Sequence, residues 1–403
     1  MSSPKPLSLT QATAEYDVVI IGGGIQGAGV AQICALNKLK VLLLEQFTVA
    51  SQTSSRSSKL IHGGLRYLES WQWGLVRECL HERKCLLELA PTLVKLVPFY
   101  IPVYTHNSRH PWLIRLGLSL YALLGGLTKD CRFKKVPCAE WPALAGLTVD
   151  DLKVVYQYYD AQTDDRLLTE AVIKAAITSG AVVYENTKFL GAQYNGSLTD
   201  VEFSTTSEFN NVNHCRARLV VNAAGPWVNQ VLNQFTPKIE PQAIETVQGT
   251  HLVLQYALDK IYYLEALLDR RAIFAMPWKG NTLLGTTETP YSGDPEKVEP
   301  LAAEVAYLKD VFYHYFPKAK GVAVLESFAG LRVLPAMGAD VFNATRESRI
   351  VCDHSRLTKV ISIYGGKLTA YRQNAERVYK LIAQSLNIPK NKFVSSRHSQ
   401  LAK

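Results

Sequence analysis

Residues 16–46 read YDVVIIGGGIQGAGVAQICALNKLKVLLLEQ, and no other stretch restricts the fold so closely. The apolar run at 18–21 predicts a strand buried on both faces, since nothing in it alternates with polar residues. Gly22, Gly24 and Gly27 then interrupt the chain, small and apolar residues follow, and a second apolar run at 40–44 ends in Glu45. Strand, glycine turn, helix and strand within about thirty residues make a β-α-β unit. Each glycine has its own task. Gly22 permits the tight turn, Gly24 lets a pyrophosphate approach the backbone, and Gly27 lets helix and strand pack closely. The carboxylate of Glu45 stands where it can accept from ribose hydroxyls. The unit predicts dinucleotide binding; the plainer reading is a structural turn.

The chain has 403 residues. Single cores stop growing at about 250–300 residues, so two domains are expected. Apolar content of 47% and charged content of 20% are those of a globular protein. The net charge of +9 points to anionic partners. Neither a base-reading basic helix nor an RNA-binding aromatic motif is present, so nucleic acid is not an expected partner. The seven cysteines form no CxxC pair and no zinc spacing; we expect buried free thiols in a reducing compartment and no metal site. The first residues, MSSPKPLSLTQATAEYD, carry no apolar export segment and no Arg-rich transit pattern. The most hydrophobic run, 113–127, contains Arg115 and falls short of the roughly 18 apolar residues that span a bilayer. The expected location is cytoplasmic, with peripheral attachment to the cytoplasmic face of a membrane left open.

A second stretch, SSRSSKLIHGGLRYLES at 54–70, crowds hydroxyls and cations around a double glycine. It suits an anionic ligand better than a core. A helix follows, then aromatic- and proline-rich sequence to about residue 155, a helix and strand at 164–190, and a strand into a turn at 217–229. Strands dominate 245–290. The chain closes on a strand, Gly365–Gly366 and a long helix.

GGGIQGAG, SSKLIHGGLRYLE, NAAGPWV, FAGLRVLP and YGGKLTAYR occur in this order. Together they resemble the FAD-dependent glycerol-3-phosphate dehydrogenases, over about residues 16–387, and SSKLIHGGLRYLE is the most specific of them. The resemblance implies an α/β flavoprotein. A Rossmann-like FAD-binding domain (14–94, 155–235 and 325–388) would interleave with a smaller α+β substrate domain on an antiparallel sheet (95–154 and 236–324), and 389–403 would form a tail. It implies oxidation of sn-glycerol 3-phosphate to dihydroxyacetone phosphate, hydride transfer to flavin N5, and a quinone as acceptor, or dioxygen in oxidase members.

Residue by residue, the resemblance assigns FAD contacts to Gly22, Gly24, Ile25, Gly27, Glu45 and Gln46. Ser54, Ser55, Ser58, Lys59 and Leu60 would follow the phosphate and ribityl chain, with His62, Gly63 and Gly64 under the flavin ring. Val183 would meet the adenine, and Ala224, Gly225, Gly366, Lys367, Leu368 and Thr369 would complete the cradle. Arg66, Tyr67, His251, Arg332, Arg346 and Lys367 would bind substrate. An arginine fork matches two phosphate oxygens, and a lysine adds a point charge. His251, Arg66, Arg332 and Lys367 are the catalytic candidates. An imidazole poised near neutrality suits the base, with His62 as the competitor to His251. Lys367 is expected to begin the last helix, whose N-terminus would face the flavin's N1–C2 region.

The chain departs from the family pattern at Ile33, Asn37 and Lys38 on the first helix, and at Val333 and Ala370 nearer the chemistry. Family members usually continue into a helical C-terminal domain beyond the point where this sequence stops. The run at 113–127, flanked by basic residues, reads either as a core helix or as an amphipathic helix lying on anionic lipid. Two other functions stay open: a flavoprotein oxidising another α-hydroxy acid or amino acid, and a flavin-binding module without turnover. The oligomeric state is left open.

Overall fold

A computed structural model describes residues 14–144, 146–205, 207, 211–335, 348–354, 358–389, 391 and 393–401. Arg346 lies outside these residues, so its assignment has no structural counterpart. Among the described residues two mixed sheets carry the fold, one of nine strands and one of ten.

The first sheet grows from the opening β-α-β unit. Ala14–Ile21 pairs in parallel with Val41–Leu44 on one side and Val212–Asn222 on the other. Val182–Tyr184 extends the parallel array beyond Val41–Leu44, and Val360–Tyr364 lies against the far half of Val212–Asn222. The near half of that strand instead takes the antiparallel hairpin Thr187–Asn195 and Leu198–Thr205. Helices Ile25–Leu36, Asp165–Thr178 and Tyr371–Ser385 cover one face, and their apolar residues join those of the strands in one core. Val19, Ile21, Leu42 and Leu44 pack on the other face with Phe189, Val201, Phe203 and Val231, and coverage of both faces is why these strands read as unbroken apolar runs.

The second sheet is antiparallel except where Val94–Tyr104 runs parallel to Ile261–Glu265. Helix Ala302–Tyr315 packs on it through Leu308, Val311, Phe312 and Tyr315. Three expected domain boundaries fall inside its strands, the cut between 94 and 95 at the start of Val94–Tyr104 among them. Leu152–Thr163 pairs along Val94–Tyr104, and Val324–Pro335 pairs along Ile244–Leu254, so cuts at 155 and 325 would divide continuous ladders. The short strand Leu60–Ile61 also belongs here. The 54–70 stretch therefore crosses from one sheet to the other.

All seven cysteines are free thiols; five are buried, whereas Cys138 is exposed and Cys352 half-buried. The 113–127 run forms helix Pro111–Leu124, which buries only Leu118, Tyr121 and Ala122. Its outer face leaves Trp112 62%, Leu116 57% and Leu123 61% exposed. No helix among the described residues is long and apolar enough to cross a membrane.

Candidate cofactor and substrate site

A cavity of roughly 460 Å³ runs along the seam between the sheets, lined by residues from Ile21 to Thr369. One end is built by the glycine turn. Gly22 has φ 108°, and a Cβ there would stand 2.6 Å from the carbonyl oxygen of Ala223, so only glycine fits. Gly24, Ile25, Gln46, Ala224 and Gly225 share this end of the lining. Gly27 does not. It packs inward, where a Cβ would approach the Gly22 oxygen to 1.9 Å, which is the helix–strand packing task expected of it. The Glu45 carboxylate faces the cavity and accepts backbone N–H bonds from Gly23 (2.6 Å) and Phe47 (2.8 Å). Burial raises its pKa, against the pull of those two bonds.

The serine stretch wraps beside this turn. Ser54 Oγ accepts from Ile25 N–H at 2.9 Å and so caps the start of helix Ile25–Leu36. Ser58 and Leu60 line the cavity, whereas Ser55 and Lys59 turn away from it. The Ser55 hydroxyl donates to Ser51 and Gln52 carbonyls. Lys59 reaches the buried Asp165, 2.5 Å away, and Asp165 also accepts from the Ser57 N–H (2.9 Å) and hydroxyl (2.6 Å). One carboxylate thus ties down the loop from below. Asp165 was not a sequence candidate, because its local pattern is that of an ordinary first-turn helix acid.

His62 and Gly64 border the cavity, but Gly63 is fastened behind it. Its N–H donates to Tyr121 Oη (3.0 Å) and Asp160 Oδ1 (3.2 Å), and the Tyr121 hydroxyl donates to Asp160 in turn. Arg83, wholly buried, pairs with Asp160 at 2.8 Å and with Asp130 at 2.9 Å. Val183 is the middle residue of its strand, opposite Leu43, and its side chain packs on the core outside the cavity lining.

At the other end the cationic candidates converge. Arg332 Nη1 lies 2.9 Å from Glu288 Oε1, and its Nη2 donates to the Thr287 carbonyl at 2.7 Å. Arg66 Nη1 is 3.7 Å from the same Glu288 oxygen, and Arg271 Nη1 is 3.8 Å from Oε2. Three arginines therefore share one buried carboxylate, and all four residues line the cavity. Arg271 and Glu288 were not sequence candidates. Their segments, DRRAIF and GTTETP, look like a charged turn and a polar strand end, and only sheet pairing brings them together.

Lys367 lines this end with Gly366, Leu368 and Thr369. The expectation that it begins the last helix is corrected: that helix is Tyr371–Ser385, capped at Ala370. Gly365 and Gly366 have φ 70° and 116°, so the chain needs several residues to recover helical geometry. The Lys367 Nζ is buried with no hydrogen-bond partner among the described residues, and lies 3.8 Å from the centre of the Tyr67 ring.

His251 is buried between Phe328, with which its ring stacks at 5.2 Å, and the hydroxyl of Ser58, 3.0 Å from Nε2. Among the described residues its Nδ1 makes no hydrogen bond of normal geometry, although the Gly249 backbone lies close enough to favour the charged ring slightly. Burial, then the charges of Lys59 and Arg332, push the pKa down to about 3. The ring is held neutral.

These residues fit a flavin dinucleotide: a glycine turn and a carboxylate at one end, a long cavity, and a buried ammonium awaiting an acceptor at the other. The model of the FAD dependent oxidoreductase family matches residues 17–372. A glycerol-3-phosphate dehydrogenase of Pseudomonas aeruginosa is 37% identical over 369 residues, covering 90% of this chain and 70% of that protein. A D-erythritol 1-phosphate dehydrogenase of Brucella abortus is 36% identical over 367 residues, covering 90% of this chain and 72% of that protein. The structure of a Bacillus halodurans glycerol-3-phosphate dehydrogenase complexed with FAD superposes with TM-score 0.74 at 28% identity, covering 96% of this chain and 68% of that one. The chain belongs to the FAD-dependent oxidoreductases, an enzyme family, and FAD is the cofactor its cradle takes.

Proposed function

We propose that this enzyme oxidises sn-glycerol 3-phosphate to dihydroxyacetone phosphate, with a quinone as the onward electron acceptor. The observation that carries the reading is the meeting of Arg66, Arg271 and Arg332 on Glu288 beside the neutral His251 and the buried Lys367. Relatives named for glycerol 3-phosphate support it. Arginine forks match phosphate and carboxylate alike, but an amino acid would bring an ammonium of its own against this cationic cluster, whereas a phosphate dianion would not.

In this reading the cradle residues that line the cavity hold FAD, which when bound supplies the two-electron acceptor for the carbinol C–H. Arg66 and Arg332 grip the substrate phosphate, with Arg346 as a further candidate from the family resemblance. Tyr67 closes over the site. His251 accepts the hydroxyl proton at Nε2, where the substrate hydroxyl replaces Ser58 as hydrogen-bond partner. A dianion against Arg332 offsets one of the charges that depress the imidazole pKa, so substrate binding itself strengthens the base. Lys367 offers its ammonium to the negative charge that develops as electrons leave the substrate.

The outward face of helix Pro111–Leu124, with Trp112, Leu116 and Leu123 exposed and Arg115 among them, suits the interface of an anionic membrane, where quinones dissolve. The relative named for D-erythritol 1-phosphate favours a second reading, a longer polyol phosphate at the same site.

The test is anaerobic reduction of the purified holoenzyme, followed by loss of the flavin's visible absorbance. Glycerol 3-phosphate should bleach it rapidly, with erythritol 1-phosphate, glycerol and a 2-hydroxy acid as comparisons. Bleaching by the hydroxy acid alone would overturn the substrate, and bleaching by the longer polyol phosphate alone would favour the second reading.

A further inference from the structure

We propose that Arg271 is a third phosphate-binding arginine of this site, held in place by Glu288; the inference rests on the phosphorylated substrate proposed above. Arg271 immediately precedes strand Ala272–Trp278, and its carbonyl accepts from Ala266 N–H at 2.8 Å, closing a tight turn. That turn fixes the root of the side chain. The side chain is nine-tenths buried, and its guanidinium donates to the Glu288 carbonyl at 3.2 Å and stands 3.8 Å from the Glu288 carboxylate on the opposite oxygen from Arg66 and Arg332. Asp269 lies 3.3 Å from its Nε, with Tyr307 hydrogen-bonded to Asp269 behind it. The side chain is thus anchored from the rear and faces the cavity from the front.

Charge favours the same assignment. Three guanidinium groups set against Glu288 and Asp269 leave a surplus of one positive charge among these five residues, and the buried Lys367 ammonium at the same end of the cavity raises it to two. A phosphomonoester above its second ionisation, near pH 6, carries two negative charges. Glu288 also spreads the guanidinium groups around one centre before any ligand arrives, which lowers the ordering cost of binding. A monoanionic carboxylate would leave the cluster undercompensated.

The test uses the holoenzyme and three readouts. Arg271→Ala should weaken competitive inhibition by inorganic phosphate and raise KM for glycerol 3-phosphate about 10- to 100-fold, the range for a lost hydrogen bond to a charged group. The limiting rate of flavin reduction at saturating glycerol 3-phosphate should fall far less than the affinity, since the lost contact is to the phosphate and not to the reacting carbon. Arg271→Lys, which keeps the charge without the fork, should recover part of the affinity. FAD content and melting temperature confirm folding; if Arg271→Ala does not fold, Arg271→Lys and Arg271→Gln carry the test. Phosphate affinity equal to the parent enzyme's in a folded variant overturns the inference, as does a loss confined to the limiting rate with KM unchanged. Failure of the unaltered enzyme to be reduced by any polyol phosphate would instead overturn the proposed function, and phosphate binding measured by calorimetry on that same holoenzyme still decides the role of Arg271.

Discussion

The Nε2 atom of His251 lies 3.0 Å from the hydroxyl of Ser58, so the serine loop is tied to strand Ile244–Leu254 by a hydrogen bond between residues 193 positions apart. The imidazole is stacked on Phe328 and cannot retreat to water. A depressed pKa of about 3, against the ordinary 6.5, has a consequence for stability. Above pH 6.5 the ring is neutral in folded and unfolded chains alike. Below it the unfolded chain takes up a proton that the native site refuses. Stability should therefore be lost as pH falls from 6.5 towards 3, by about 1.4 kcal/mol per unit from this group. Melting temperatures of His251→Gln between pH 7.5 and 5 should fall less steeply than those of the parent; parallel curves would show that the imidazole is solvated.

Asp165 is the counterion of buried Lys59 and the anchor of Ser57. Asp165→Ala would strand an ammonium away from water, at a cost of about 3–5 kcal/mol. The 54–59 loop should loosen with it, so FAD should be lost on gel filtration before the protein unfolds. Asp165→Asn, which keeps an acceptor, should lie between the two. Full FAD retention by Asp165→Ala would separate the loop from the cofactor.

Gly285 lies opposite His251 in the sheet, and a Cβ there would come 2.3 Å from the imidazole Cδ2. Gly285→Ala should push the ring off its position while leaving the FAD cradle intact. We expect flavin reduction by substrate to slow about 100-fold, the scale of an ångström-sized misplacement, at unchanged FAD content. An unchanged rate would remove His251 from the chemistry.

The exposed face of helix Pro111–Leu124 should bind vesicles rich in anionic lipid and release them at high salt. Trp112→Ser combined with Leu116→Ser should abolish flotation with such vesicles yet leave activity with a soluble acceptor dye unaltered. Flotation unaffected by the double change would assign lipid contact to another surface.

The glycine turn, its strands and the closing elements were legible in sequence because their signals are local: apolar runs, helical spacing and glycine at a forced approach. The cluster around Glu288 was not. Arg66, Arg271 and Arg332 lie on three separate segments, and their common partner is fixed by the pairing of Ile244–Leu254 with Val324–Pro335 and Asn281–Gly285. Such register is a property of the assembled sheet. The organising acids Asp160 and Asp165 escaped for a related reason, since nothing in a buried carboxylate's own sequence names the cation that justifies it. Lys367 was displaced from its expected helix start by the left-handed glycines before it, whose presence was plain but whose φ values were not.

The side-chain amide of Gln26 donates to the carbonyl of Lys367 at 3.3 Å across 341 residues. The glycine turn emerges from the ribosome early, yet the cavity it opens is walled by residues up to Thr369. During synthesis the nascent β-α-β unit faces a half-built groove. Chain growth at about 5–20 residues per second means that tens of seconds pass before the last wall arrives. Capture of FAD by the complete cradle therefore waits until residues up to Thr369 have been synthesised. Until Val360–Tyr364 is made, the half of Val212–Asn222 that it pairs with is an open strand edge.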